Sequence, residues 1–91
     1  MAANRDDAAY RVQALEKGVA VIEALEGVAF EPVRIDRIVE RCRLPKDTVF
    51  RSLRTLRRLG WAVRNDRGEW TVGGRFTRLA AKAAQQQEEK L

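Results

Sequence analysis

Apolar residues recur along this chain with two different periods, and the change of period marks out its elements. Between Ala9 and Glu26, the residues Val12, Leu15, Val19, Ile22 and Leu25 step by three or four. That spacing predicts one face of an amphipathic helix. Gly18 lies inside the run, where glycine costs about 1 kcal/mol against alanine and leaves room for close packing. Gly27 is placed to end the helix. Val28 to Val33 contains Pro32 and reads as a loop with space for a short strand.

Ile35, Ile38, Val39 and Cys42 lie at i, i+3, i+4 and i+7, which predicts a second helix over Arg34–Cys42. Arg34, Arg37, Glu40 and Arg41 fall on its outer face. Arg43-Leu44-Pro45 interrupts the pattern. Pro45 suits the first turn of a third helix, where its missing N–H costs nothing. Asp47 then sits near that helix's N-terminus, where the dipole favours a negative charge. The third helix runs over Lys46–Leu59, and Gly60 supplies the stop. Val49, Leu53 and Leu56 share one face, with Phe50 and Leu59 at its margins. A turn of 100° per residue puts Asp47, Arg51, Arg54, Thr55 and Arg58 on the opposite side, with Lys46 and Arg57 flanking the core edge.

The period then changes. Trp61–Arg64 and Glu69–Val72 are short β-prone runs separated by Asn65-Asp66-Arg67-Gly68, a turn signal with glycine available for positive φ. They predict a hairpin with Arg64 and Arg67 near its tip and Trp61, Trp70 and Val72 on an apolar side. Gly73-Gly74 ends the second strand. From Arg75 to about Gln87 the pattern is helical again, on a thin stripe of Phe76, Leu79, Ala80 and Ala83. Residues 85–89 are polar and have no core face. The expected organisation is a disordered tail over 1–8, one domain over 9–84 and a frayed tail over 85–91.

Composition narrows the chemistry. The chain has 91 residues, no histidine and one cysteine. Its single serine is Ser52. Ser-His-Asp and Cys-His units are therefore excluded, as is any histidine-containing metal site. One cysteine cannot form an internal disulfide. Cys42 falls on an apolar stripe, where a small buried residue is the expected role. No glycine-rich phosphate loop and no paired carboxylates in a catalytic context are present. The expectation is a cytoplasmic, non-enzymatic module, without cofactor, metal or membrane partner. Charge placement adds a partner. The chain carries +5 overall, yet residues 1–42 hold 6 basic and 8 acidic side chains while residues 43–74 hold 8 basic and 3 acidic. A basic segment inside a balanced domain is the footprint of a polyanion, or else a solvated helix face.

Helix, helix, turn, helix, hairpin, helix is the order of a winged helix-turn-helix domain: mainly α, with a small β-hairpin wing. The third helix has the design of a reading helix, apolar inside and lined with arginines outside. The major groove of duplex DNA is about 12 Å wide and admits one such helix. The wing's arginines can lie across a backbone or enter a minor groove.

The residues also carry a family resemblance. Ile35 to Gly60 resembles the helix-turn-helix of the IclR family of bacterial transcription regulators, most specifically over Leu44-Pro-Lys-Asp-Thr-Val-Phe-Arg-Ser-Leu53. Leu15-Glu-Lys-Gly-Val-Ala-Val-Ile22 upstream and Gly68-Glu-Trp-Thr-Val-Gly73 downstream add to it. The resemblance covers about residues 12–80. It implies DNA binding, usually as a dimer held partly by the first helix, with the family's turn and reading residues falling on Leu44–Thr48, Phe50 and Arg51. Arg43 stands where the family usually has glycine, and Asp47 where it usually has serine. Family members also usually carry a much larger C-terminal effector-binding domain. Without it, the 91 residues are either a cut piece or a stand-alone module, and a natural module of this size is expected to be a repressor of phage or mobile-element type.

The expected DNA contacts are Lys46, Asp47, Thr48, Phe50, Arg51, Arg54, Thr55, Arg58, Arg64 and Arg67. Several have a plainer reading. Thr48 and Lys46 can serve helix capping. Phe50 at the core edge can touch a thymine methyl or close the core. Asp47 can accept from a cytosine amine or cap the helix. Trp61 and Trp70 can stack on bases, but their side of the hairpin favours packing. Arg43, Arg75, Arg78 and Lys82 can reach flanking phosphates. Val12, Leu15, Val19 and Ile22 are the expected homodimer face, which would set two reading helices one DNA turn, about 34 Å, apart. The alternative function is a winged-helix docking module that binds a host or phage protein rather than DNA. Replacing Leu53 by alanine should cost about 2–5 kcal/mol of stability, as core truncations do. A melting curve close to that of the parent protein would show that the helix phase is wrong.

Overall fold

The computed structural model describes residues 10–26 and 31–90. Three helices come first: α1 (Gln13–Ala24), α2 (Ile35–Cys42) and α3 (Lys46–Arg58). Strands β1 (Ala62–Arg64) and β2 (Trp70–Val72) follow, and α4 (Gly74–Lys90) completes the order. The fold is a winged helix-turn-helix, with one two-stranded antiparallel sheet as the wing. The expected tail over 1–8, the stop at Gly27 and the start of the Val28–Val33 loop lie outside the described residues.

The core is small. Val21, Ala24 and Leu25 from α1 and its end, Ile38 from α2, Val49 and Leu53 from α3, and Ala62 and Trp70 from the wing are buried. Val39, Cys42, Leu44 and Leu56 pack around them, half-buried. α1, α2 and α3 pack against one another in pairs, and β1 lies along α3. The stripes expected on α2 and α3 are the ones that face inward.

α1 is different. Its expected stripe is mostly not its core face. Val12, Leu15 and Val19 are 59%, 66% and 46% exposed, and of the stripe Leu25 alone is fully buried. The core is met instead by Val21, Ala24 and Leu25, with Ile22 half-buried between the two faces. At 100° per residue Val12 and Val19 point nearly opposite to Val21. α1 is thus apolar on two sides, and the longer run of threes and fours is the outer one. Gly18 makes no close contact either: a Cβ there would meet nothing within 4 Å. The Arg41 guanidinium, expected on an outer face, instead donates to the Ala24 carbonyl at 2.9 Å. It thereby satisfies one of the carbonyls orphaned at the end of α1.

Two backbone positions set the joints. Between α2 and α3, Arg43 adopts φ 57° and ψ 33° while its N–H donates to the Val39 carbonyl at 2.8 Å. This left-handed cap usually falls to glycine. Pro45 occupies the N-cap of α3, one position earlier than the first-turn place expected for it, and its carbonyl accepts from the Val49 N–H at 3.0 Å. At the other end, Gly60 at φ 86° donates to the Arg57 carbonyl at 3.1 Å, and Trp61 N–H reaches back to the Leu56 carbonyl at 2.8 Å. That pair of bonds is a Schellman motif, and it turns the chain into the wing.

The hairpin pairs Ala62 with Val72, Val63 with Thr71 and Arg64 with Trp70. Trp61 stays outside the strand. Its ring meets Phe76 of α4 edge-on at 6.1 Å. Val33, in the segment before α2, exchanges both backbone hydrogen bonds with Trp70, at 2.9 and 2.7 Å. This bridge ties the start of the helix-turn-helix to the wing. α4 is anchored at its beginning, where Arg75 N–H donates to the Gly60 carbonyl at 3.2 Å. From Thr77 to Gln87 every residue is exposed.

Gly73 approaches the Schellman turn so closely that a Cβ on it would collide with the Gly60 carbonyl oxygen and stand 3.0 Å from the Ala62 nitrogen. Gly73→Ala should therefore lower stability by about 1–3 kcal/mol in urea denaturation, since backbone and not a flexible side chain must give way. Arg43→Gly should act in the opposite direction. Relieving a left-handed residue with a side chain is worth roughly 1 kcal/mol after glycine's own entropy cost is subtracted. An unchanged denaturation midpoint for either variant would contradict the corresponding assignment.

Candidate nucleic-acid interface

Burying Val49 and Leu53 fixes the rotation of α3. Lys46, Asp47, Arg51, Arg54, Thr55 and Arg58 are consequently exposed. Within the helix itself one acidic side chain, Asp47, stands against Lys46, Arg51, Arg54, Arg57 and Arg58. The surface is therefore strongly cationic, and such a face attracts phosphate in a salt-dependent way.

The side chains on this face engage one another. Arg51 Nη2 lies 3.1 Å from Asp47 Oδ2, an i,i+4 ion pair. The Arg54 guanidinium sits over the Phe50 ring, 5.8 Å from its centroid. Phe50 is 41% exposed, so it lies on the rim of the outer face rather than closing the core. Lys46 Nζ is 3.1 Å from Asp36 Oδ1 on α2. Asp36 is a partner the sequence pattern did not single out. It lies on the solvent side of α2, and only the angle between α2 and α3 brings it to Lys46.

Thr48 and Thr55 take a different position. Thr48 is half-buried, and both threonines line a groove between α3 and α1. Leu15, Val19, Ile22, Leu56 and Leu59 supply the groove's apolar surface, and Arg51 reaches its edge. All of the expected dimer residues except Val12 thus border α3 rather than standing apart from it. At the start of α1, Arg11 Nε donates to Glu16 Oε2 at 2.7 Å, and that hydrogen bond holds the exposed Glu16 carboxyl below its ordinary range.

The wing carries the remaining expected contacts. Asn65 organises its tip. The Asn65 side-chain oxygen accepts from the N–H groups of Arg67 and Glu69, both at 2.9 Å, while its amide donates to Glu69 Oε1 at 2.8 Å. This Asx arrangement fixes the turn without tertiary help. Arg67 is exposed there. Arg64 is exposed too, with its guanidinium over the Trp70 ring at 5.8 Å. Trp70 is 3% exposed and Trp61 half-buried, so neither indole presents an open stacking platform. Arg75, Arg78 and Lys82 gather with Leu79 around Trp61 at the start of α4.

Among the described residues no cluster of three or more cysteine and carboxylate side chains could hold a metal ion, and no helix is long and apolar enough to cross a membrane. What the arrangement can do chemically is hydrogen-bond and pair with anions, through guanidinium forks held on a rigid helix and a short hairpin.

Comparison with known proteins agrees with this geometry. Residues 14–66 match the IclR helix-turn-helix domain. An IclR transcriptional regulator from Alicyclobacillus acidocaldarius is 26% identical, with a TM-score of 0.72 over 82% of this chain. HmgR from Pseudomonas aeruginosa is 25% identical, with a TM-score of 0.74 over 79% of this chain. An IclR-family transcriptional regulator from Brucella abortus is 26% identical, with a TM-score of 0.71 over 87% of this chain. The alignments cover 30% of each of those chains, so this chain spans under a third of their length. No curated protein matches. With more than half of its residues inside the matched domain and the wing built as described, this chain belongs to the IclR helix-turn-helix family.

Proposed function

We propose that this chain is the DNA-reading module of a transcriptional regulator. In this reading it binds duplex DNA sequence-specifically, with α3 in the major groove and the wing against the backbone or in the adjacent minor groove. One observation carries the reading: Arg51, Arg54 and Arg58 stand exposed on the face of α3 opposite the buried Val49 and Leu53. A rigid helix presenting several guanidinium forks outward is what a groove about 12 Å wide admits, and arginine is the commonest reader of guanine. Lys46, Arg64 and Arg67 add phosphate contacts on either side.

Two copies act together in this proposal. The outer face of α1, with Val12, Leu15 and Val19 exposed, is apolar surface that a second copy would cover. Pairing there would present two α3 helices to a two-fold site. Occupying such a site is sufficient for repression, and that is the mode we propose, in the bacterial cytoplasm or nucleoid. Relatives of the same domain family that are transcriptional regulators support the assignment to regulation.

The test is a titration of labelled mixed-sequence duplex, read by anisotropy at about 50 and 200 mM salt. Affinity should fall by roughly two to four orders of magnitude between the two, as expected when several phosphates are neutralised. The variant carrying Arg51→Ala and Arg54→Ala should keep the parent's helical circular dichroism and lose binding to a selected site by more than about 30-fold, from the loss of bidentate base contacts. No duplex binding even at 50 mM salt would overturn the proposal in favour of a module that docks on a protein.

A further inference from the structure

The single acid on the outer face of α3 suits the dipole at the helix start, yet it opposes the attraction of DNA to that face. A carboxylate among arginines repels the phosphates that the arginines recruit. Nor is its ion pair a convincing source of stability, because the Arg51 and Asp47 side chains are 72% and 77% exposed and exposed pairs contribute little. What Asp47 does change is the freedom of Arg51. It sits one turn before Arg51 on the same face, and its Oδ2 holds Arg51 Nη2 at 3.1 Å. A guanidinium has five N–H donors and a guanine edge needs two, so pairing with Asp47 at Nη2 leaves donors enough for a base edge.

We propose that Asp47 is a specificity-determining positioning residue: it orients the Arg51 guanidinium so that Arg51 reads a guanine in the major groove. The proposal rests on the DNA-binding reading above and adds to it the base that is read and the residue that enforces it. Arg54 is held in a different way, over the Phe50 ring. The reading helix therefore presents two oriented forks, one set by a carboxylate and one by an aromatic face. Preorganisation of this kind favours discrimination, because an arginine biased toward one direction turns less readily to a neighbouring phosphate when the base is wrong. The carboxylate also lowers affinity for DNA in general, an effect that by itself leaves base preference unchanged.

The two effects have opposite signs, and that makes the proposal testable. Duplexes would be selected from a randomised library with the parent protein, with Asp47→Ser and with Arg51→Ala. Affinity would then be measured for all four bases at each selected position, with circular dichroism and thermal melting recorded for each variant. Asp47→Ser should bind mixed-sequence duplex more tightly than the parent, because one negative charge is gone. It should also lose roughly two- to fivefold in preference for guanine at one position of the half-site, the range that an exposed ion pair supplies. Arg51→Ala should lose preference at that same position. A merely structural role at the helix start would weaken all sequences alike and move no base preference.

Three results would overturn the inference. The first is an Asp47→Ser protein with unchanged base preference at every position. The second is a uniform loss of affinity. The third is a lost position that differs from the one lost in Arg51→Ala, which would mean that Asp47 itself contacts a base such as cytosine. Failure of the parent protein to bind any duplex at 50 mM salt would remove the DNA-binding reading and this inference with it, so the two failures are distinguishable.

Discussion

The burial of Val49 and Leu53 against α1, α2 and the wing is the constraint from which the rest of this molecule follows. Both side chains are wholly withdrawn from water, and a helix is rigid enough that fixing two side chains one turn apart fixes all the others. The arginines of α3 face outward because these two residues face inward. The same burial holds α3 against β1, so the wing stands at a set place beside α3. A core of this size leaves little margin. Small domains bury a modest fraction of their surface, and their stability rests on few contacts.

The joints around α3 are built from backbone rather than side chains. Arg43 in a left-handed conformation reverses the chain before the helix, and the Schellman turn at Gly60 redirects it afterwards. The close approach of Gly73 to that turn then locks the second strand against the end of α3. Arg43 is the costly member of the set, since a side chain in this region meets its own backbone. The helix-turn-helix keeps its geometry because the core and the Val33–Trp70 bridge hold both flanks in place.

Among the described residues, two exposed surfaces of different character meet along α3. One is cationic: the outer face of α3 continued by the wing tip. The other is apolar: the outer side of α1 and the groove in which Leu15, Val19 and Ile22 face Leu56 and Leu59. Thr48, Arg51 and Thr55 border that groove. Anything that covers the outer side of α1 therefore also comes close to α3.

Much of this was legible in the chain itself. The apolar stripes of α2 and α3, the outward arginines, the stop at Gly60 and the Asn65–Gly68 turn are local consequences of helix period and turn chemistry, and each residue carries its own signal. The phase of α1 was not legible. That helix is apolar on two sides, and periodicity alone cannot say which side meets the core. Phe50 was ambiguous for a related reason: at the margin of a stripe, only the position of neighbouring elements decides exposure, and here the ring lies outside under Arg54. The Val33–Trp70 bridge, the Arg41 bond to Ala24 and the Asp36–Lys46 pair join segments far apart in sequence or on different elements. No local pattern encodes them. The sequence by itself determined which elements form and which face of α3 is charged, because helices and turns are governed by neighbours along the chain. The tertiary structure alone decided which face of α1 stays open and which polar groups meet, because those depend on the angles at which helices pack.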